Sequence, residues 1–264
     1  IIGSMVSPRD RESGLIWLFH KMGEYDGSPG AWGFHKGGNG GFTQVLARAY
    51  ESFGGTTRTE ARVERVLHED GVALGVELEG GERIDAPVIV SALDPKQTFT
   101  RLVDAADMPV DLIQHLEGYK YQGSASKVNF ALSALPTFPG LEGRDDAFLG
   151  FINLGPSIDY LHQAFEEAKG GAFSRRPFID CCIQSTVDPD MSPPGKHVMS
   201  CFVMYTPYQL NGLTWDEQRE ALGDTAQATL EEFFPGFGEL VLHREVVTPL
   251  DIERTVGLTE GNIF

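Results

Sequence analysis

Lys127-Val128-Asn129-Phe130-Ala131-Leu132 alternates residue by residue between polar or small side chains and large apolar ones. On a strand, successive side chains point to opposite faces, so Val128, Phe130 and Leu132 would form one face. Lys127, Asn129 and Ala131 would form the other. The pattern predicts a half-buried strand in a sheet with one face on a core and one face wet.

The segments around it extend that reading. Residues 147–154, 178–187 and 197–205 read as further long strands, the last two joined by a loop at 188–195 that holds Pro189, Pro193 and Pro194. Residues 157–169 predict an amphipathic helix through Ile158, Leu161 and Phe165, stopped at Gly170-Gly171. Thr214-Trp215-Asp216-Glu217 has the spacing of a capping box, and Leu222, Ala226, Leu230 and Phe233 carry its helix to Pro235-Gly236. This part predicts an α+β arrangement on a largely antiparallel sheet.

The earlier part reads differently. Leu15 to Phe19 is an apolar run that predicts a buried helix, and Lys36-Gly37-Gly38-Asn39-Gly40-Gly41 is a glycine loop opening a second helix. That helix places Phe42, Val45, Leu46, Ala49 and Phe53 at helical spacing and ends at Gly54-Gly55. A short strand at 56–59 and a meander over 61–68, 72–78 and 82–85 follow. Pro87-Val88-Ile89-Val90-Ser91-Ala92 is then continuously apolar up to Ser91, which predicts a strand buried on both faces of a parallel sheet. Asp94-Pro95 starts a helix with Phe99, Leu102 and Val103 facing inward. The fold class expected is α/β for the first part plus α+β for the rest.

Composition narrows the partners. Of 264 residues, 41% are hydrophobic and 22% charged, which is ordinary globular content with enough chain for a substantial core. Acids outnumber bases 38 to 21, for a net charge of −17, and no basic cluster exists to displace phosphate counterions. Nucleic acid is therefore excluded as the expected partner, and no apolar run reaches transmembrane length. Cys181, Cys182 and Cys201 make no disulfide framework or C-x-x-C pair; they read as buried small hydrophobes in a reducing compartment. The seven histidines are scattered without zinc spacing, so no metal is expected.

No local motif carries chemistry by itself. The glycine loop fails the G-x-G-x-x-G pattern, because Thr43 stands at the third glycine position. Asp145-Asp146 and Asp188-Pro189-Asp190 read as solvated turns. Lys127, on the face it shares with Asn129, reads by composition as an exposed lysine; its alternative is a cavity-lining residue suited to proton chemistry.

As an ordered set, several stretches resemble the flavin-dependent oxidoreductases related to phytoene dehydrogenase, within the amine oxidase superfamily. They are Gly30-Ala31-Trp32-Gly33-Phe34 with the glycine loop at 37–41, Thr59 to Val66, Val90 to Pro95, Ser174 to Phe178, Pro193 to Ser200, Thr248 to Asp251 and Gly261 to Phe264. Within that superfamily they most resemble the group named for a pyridine nucleotide-disulfide oxidoreductase domain. The resemblance implies part of a Rossmann-like FAD-binding domain interleaved with a substrate domain. It implies a helical substrate-domain segment at 1–35, partial FAD-binding domain at 36–100, substrate domain at 101–246 and a return towards the FAD-binding domain at 247–264. Opening on Ile1-Ile2-Gly3 and closing on Gly261-Asn262-Ile263-Phe264, the chain reads as the centre of a longer protein, inactive by itself.

The same resemblance implies FAD as cofactor, with Val63 meeting the adenine through its backbone, Ser91 and Ala92 at the end of a strand returning to the flavin domain, and Gly37, Gly38 and Gly40 at the glycine turn. Trp32, Phe34 and Asn129 are implied in the substrate cavity. The run Gly123 to Val128 resembles the strand of flavin amine oxidases whose lysine holds a water against flavin N5, which makes Lys127 the candidate catalytic residue. The expected activity is removal of hydride from a C–H bond of a small apolar or amine substrate. Carotenoid-type desaturation or isomerisation, or a redox-silent binding module, are the alternatives. A homodimer is a possible assembly, and the expected compartment is the cytoplasm of a bacterium or the mitochondrion of a eukaryote.

Overall fold

The computed structural model describes residues 3–263. In chain order the elements are α1 (Ser13–Phe19), β1 (Glu24–Tyr25), β2 (Ser28–Pro29), α2 (Gly38–Ser52), β3 (Val63–Glu69), β4 (Val72–Leu78), β5 (Arg83–Asp85), α3 (Pro95–Gln97) and α4 (Val110–Gly118). There follow β6 (Ala125–Leu132), β7 (Ile152–Leu154), α5 (Ile158–Lys169), β8 (Ile179–Ile183), β9 (His197–Met204), α6 (Trp215–Phe233), α7 (Phe237–Leu240), β10 (Val241–Val247) and α8 (Pro249–Val256). The chain divides into two compact units, one of residues 1–45 with 122–264 and one of residues 46–121.

The larger unit is built on a five-stranded antiparallel sheet in the order β10-β6-β9-β8-β7. The alternation in β6 is realised as expected. Val128, Phe130 and Leu132 face a core with Ile179, Cys181 and Ile183 of β8 and Met199, Cys201 and Val203 of β9. Helix α6 covers that face through Trp215, Leu222, Ala226 and Leu230, and Phe234 and Phe237 continue the cover beyond it. Each such aliphatic side chain removed from water contributes about 1.5–3 kcal/mol. Thr214 caps α6 in the capping box the sequence predicts, with its hydroxyl accepting from the Glu217 amide.

The opposite face of this sheet is covered at one end. Helix α5, capped by Ser157, packs Ala164 and Ala168 onto Phe178, Met204 and Tyr205. Gly155 permits that approach, since a Cβ there would lie 2.6 Å from the Phe178 ring and 2.7 Å from Leu161. Phe202 packs against the edge of this cluster, and Cys182 and Ser200 on the same face are buried.

The smaller unit contains the meander β3-β4-β5, a three-stranded antiparallel sheet. The helix expected after Asp94 is present, with the Asp94 carboxylate accepting from the Gln97 amide. It is a single α-turn that widens into a π-turn over Thr98–Leu102.

Several expectations differ, and of the strand expected at 178–187 only β8 is extended, because a 3-10 turn takes Gln184–Thr186. Residues 87–92 form no strand; Val88 is 72% exposed and Val90 88% exposed. A strand apolar on both faces needs neighbours to bond its backbone and cover it, and no described strand pairs with this one. The expected strand at 56–59 is likewise absent. Of the strand expected at 147–154 only β7 is extended, because a 3-10 turn at Asp145–Phe148 takes its first part. Helices α1 and α2 form, but the apolar side chains expected inside, Leu15, Leu18, Phe42, Leu46 and Phe53 among them, are exposed.

Truncating Leu230 to Ala, beneath β6, should destabilise the protein by about 2–5 kcal/mol in a denaturant titration. Thr214→Ala, which removes only the cap, should lower stability by about 1 kcal/mol with the same slope.

Candidate active site

Register places two rows of side chains side by side on the face opposite α6. One runs across all five strands as Asn153, Asp180, Phe202, Lys127 and Val247. The next runs as Cys182, Ser200, Asn129 and Glu245. The face therefore carries two carboxylates, an ammonium, two amides, a thiol and a hydroxyl over an apolar core.

Hydrogen bonds hold the second row in place. Ser200 Oγ donates to Asn129 Oδ1 at 2.9 Å, and Asn129 Nδ2 donates to Glu245 Oε2 at 3.1 Å. In the first row Asn153 Nδ2 donates to Asp180 Oδ1 at 2.8 Å. Asp180 is half-buried, and that burial pushes its carboxyl up to about 6, opposed by the charges of Lys21 and Lys127, the Asn153 hydrogen bond and His20. Cys182 is buried, which pushes its thiol up to about 11; it is a thiol at neutral pH and not a nucleophile. As the sequence implies, Cys181 and Cys182 point to opposite faces; Cys181 lies in the core beside Cys201, and all three cysteines are free.

An aromatic corner flanks the rows. Trp32 meets Phe151, the residue before β7, edge-on at 5.3 Å, and Phe34 stacks on the same ring at 5.7 Å. His20 stacks on Trp32 at 6.2 Å. Trp32, Phe34, Asn129 and Lys127 thus all belong to the larger unit, and Lys127 and Asn129 share one face, half-buried.

The glycine loop is tied down internally. Gly37 and Gly38 have φ of 79° and 67°, a conformation that glycine adopts freely. The Gly37 amide donates to Asp188 Oδ2 at 2.7 Å, Gly38 donates to the His35 carbonyl, and Gly41 donates to the Gly37 carbonyl. Lys36 pairs with Asp190 at 2.9 Å. Asp188-Pro189-Asp190, expected to be a merely solvated turn, is thus the clamp on this loop. A carboxylate already occupies the Gly37 amide, so the loop does not fit a free phosphate cradle; Gly40, inside the first turn of α2, has open space around its Cα. In the smaller unit Val63 opens β3, an edge strand, where alternate backbone groups face away from β4 and fit a purine edge. Ser91 Oγ bonds Thr98 Oγ1 at 2.7 Å, and Ala92 follows it in irregular chain.

Asp180, Asn153, Phe202, Ser200 and Glu245 are absent from the sequence-based set. A signal existed, because Asp180 is a lone charge between Ile179 and Cys181 in an apolar strand. Its proximity to Lys127 depends on strand order, which local patterning does not contain. Among the described residues no cluster suited to hold a metal ion occurs, and no helix is long and apolar enough to cross a membrane.

The family model described as flavin containing amine oxidoreductase matches residues 6–252, and the chain belongs to that family. FAD is accordingly the cofactor. The sequence is 37% identical over 273 residues to pyridine nucleotide-disulfide oxidoreductase domain-containing protein 2 of Rattus norvegicus, covering 100% of this chain and 47% of the relative. It is 28% identical over 229 residues to chloroplastic prolycopene isomerase 2 of an Oncidium hybrid cultivar, covering 85% of this chain and 36% of that one. The chain thus spans about half the length, or less, of these curated relatives. The crystal structure of an oxidoreductase from Methanosarcina mazei superposes with a TM-score of 0.58 at 20% identity, covering 83% of this chain and 44% of that one, a likeness of fold.

The native Asp180 carboxyl keeps its proton to about 6, whereas the unfolded one releases it near its ordinary value of 3.8. Between those values the native state binds more protons, so this residue's contribution to stability falls as pH rises through the window. Asp180→Asn should therefore stabilise the protein, relative to the parent, by on the order of 1–2 kcal/mol more at about pH 8 than at about pH 4. Denaturant midpoints at the two pH values measure it.

Proposed function

We propose that the chain is the central part of an FAD-dependent oxidoreductase that removes hydride from a C–H bond of a small apolar or amine substrate. The observation that carries this reading is the half-buried Lys127 on a polar sheet face, hydrogen-bonded in its neighbouring row and backed by a closed core. FAD, when bound, supplies the hydride acceptor. The chain's own residues would do the rest. The apolar floor of Phe202 and the corner of Trp32, Phe34 and Phe151 would bind the body of the substrate and exclude water. Lys127, with Asn129 and Ser200 ordering the surface beside it, would hold a water or proton next to the reacting atom, where a fixed cation stabilises charge that develops during transfer.

Residues 36–100 are assigned to part of the FAD-binding domain, with Val63 offering backbone groups to the adenine and Ser91 and Ala92 closing the segment that leads back to it. Of the glycine turn, Gly40 keeps a cofactor role, while Gly37 and Gly38 act by shaping the loop that Asp188 clamps. Residues 101–246 are assigned to the substrate domain, with 1–35 as its helical segment and 247–264 as the return towards the FAD-binding domain.

Carotenoid-type desaturation or isomerisation is the second reading, favoured by the similarity to prolycopene isomerase. A polyene offers nothing for Asp180 and Lys127 to bind, which is why hydride removal from a substrate with polar groups is preferred. In the full-length flavoprotein, Lys127→Met should slow flavin reduction or its reoxidation by oxygen at least tenfold, about 1.4 kcal/mol in barrier. Stopped-flow absorbance of the flavin measures both; unchanged rates would remove Lys127 from the chemistry.

A further inference from the structure

Asp180 and Lys127 stand two strands apart in one row, with Phe202 between them. Two strand spacings separate their backbones by roughly 9–10 Å. The two charges are close enough for Lys127 to pull the Asp180 carboxyl towards its ionised form. Yet among the described residues neither closes an ion pair, and Asp180 accepts only the Asn153 amide, on Oδ1. Its second oxygen is left for another donor. Lys21, the other cation that acts on Asp180, leans over the Trp17 ring at 5.6 Å. Such an arrangement holds a carboxylate and an ammonium at opposite ends of an aromatic floor, kept apart by the rigid sheet beneath.

We propose that Asp180 and Lys127 are specificity-determining residues that grip the two ends of a bifunctional substrate, a donor or cationic group at Asp180 and an acceptor or anionic group that meets Lys127 through the water it holds. The apolar middle of that molecule lies on Phe202. This rests on the reading of the face as the substrate wall, and it narrows the substrate from a plain apolar molecule or simple amine to one polar at both ends. A molecule with one polar end leaves the other charge half-desolvated and unpaired, which selects against it.

The groups facing Asp180 are Lys127, Lys21, His20, Cys182 and Asn153. Below its titration near 6 the carboxyl is neutral, and the cationic end of a ligand loses its partner.

The test is calorimetric titration of the full-length protein, with its flavin reduced beforehand and oxygen excluded so that no probe is turned over, using para-aminomethylbenzoate, benzylamine and benzoate as probes. At about pH 7.5 the bifunctional probe should bind at least tenfold more tightly than either single-ended one, and this advantage should fade at about pH 5. Asp180→Asn, which can keep the Asn153 hydrogen bond, should bind para-aminomethylbenzoate no better than benzoate. Lys127→Met should bind it no better than benzylamine. Equal affinity for all three probes, or an advantage that survives Asp180→Asn, would overturn the proposal. Binding here is read without turnover. A protein that binds the two-ended probe but never reduces its flavin would refute the oxidoreductase reading and leave this one standing.

Discussion

The burial of one face of β6 under α6 is the constraint on which the rest of the larger unit depends. Val128, Phe130 and Leu132 lie in one core with Leu222, Ala226 and Leu230. A strand has a side-chain period of two, so sealing these residues obliges Lys127 and Asn129 to face the other way. A register slip of one residue would drive an ammonium and an amide into the core, at a cost well beyond any gain elsewhere. The helix and the polar face are thus two consequences of one pattern.

The polar face carries an electrostatic burden that the core supports. Asp180 is half-desolvated and its carboxyl is raised to about 6, so in its ionised form it weakens the fold it belongs to. A residue chosen for stability would be neutral there. The neighbours soften the penalty without removing it, since Asn153 bonds one oxygen and the lysines act from beyond contact. Similar economy holds at the glycine loop. Its left-handed turn is secured by the Asp188 carboxylate and by the Lys36–Asp190 pair, both drawn from the loop between β8 and β9.

Much of the architecture was legible because its causes are local. The capping box at Thr214, the helix start at Asp94 and the alternation of β6 all act within a few residues, and each appears where the sequence puts it. The apolar run at 87–92 and the apolar faces of α1 and α2 read as buried but lie exposed. Apolar character is a demand for cover, and whether cover exists depends on partners distant in sequence. Residues 147–148 were misread for a related reason, since a 3-10 turn there precedes the extension of β7. At the site, Lys127 and Asn129 could be found from their own strand, whereas Asp180, Phe202 and Glu245 join them only through strand order.

By itself the sequence determined the two-faced strands, the caps and turns that delimit the helices, the acidic balance, and the family. Those rest on period, on short-range hydrogen bonding and on composition, all of which are written locally. Tertiary structure alone decided which strands lie side by side. The order β10-β6-β9-β8-β7 sets Asp180 and Lys127 at the two ends of Phe202 and ties Asn129 to both Ser200 and Glu245. Pairing between strands tens of residues apart is settled by packing the whole core at once, and no single stretch of chain contains that information.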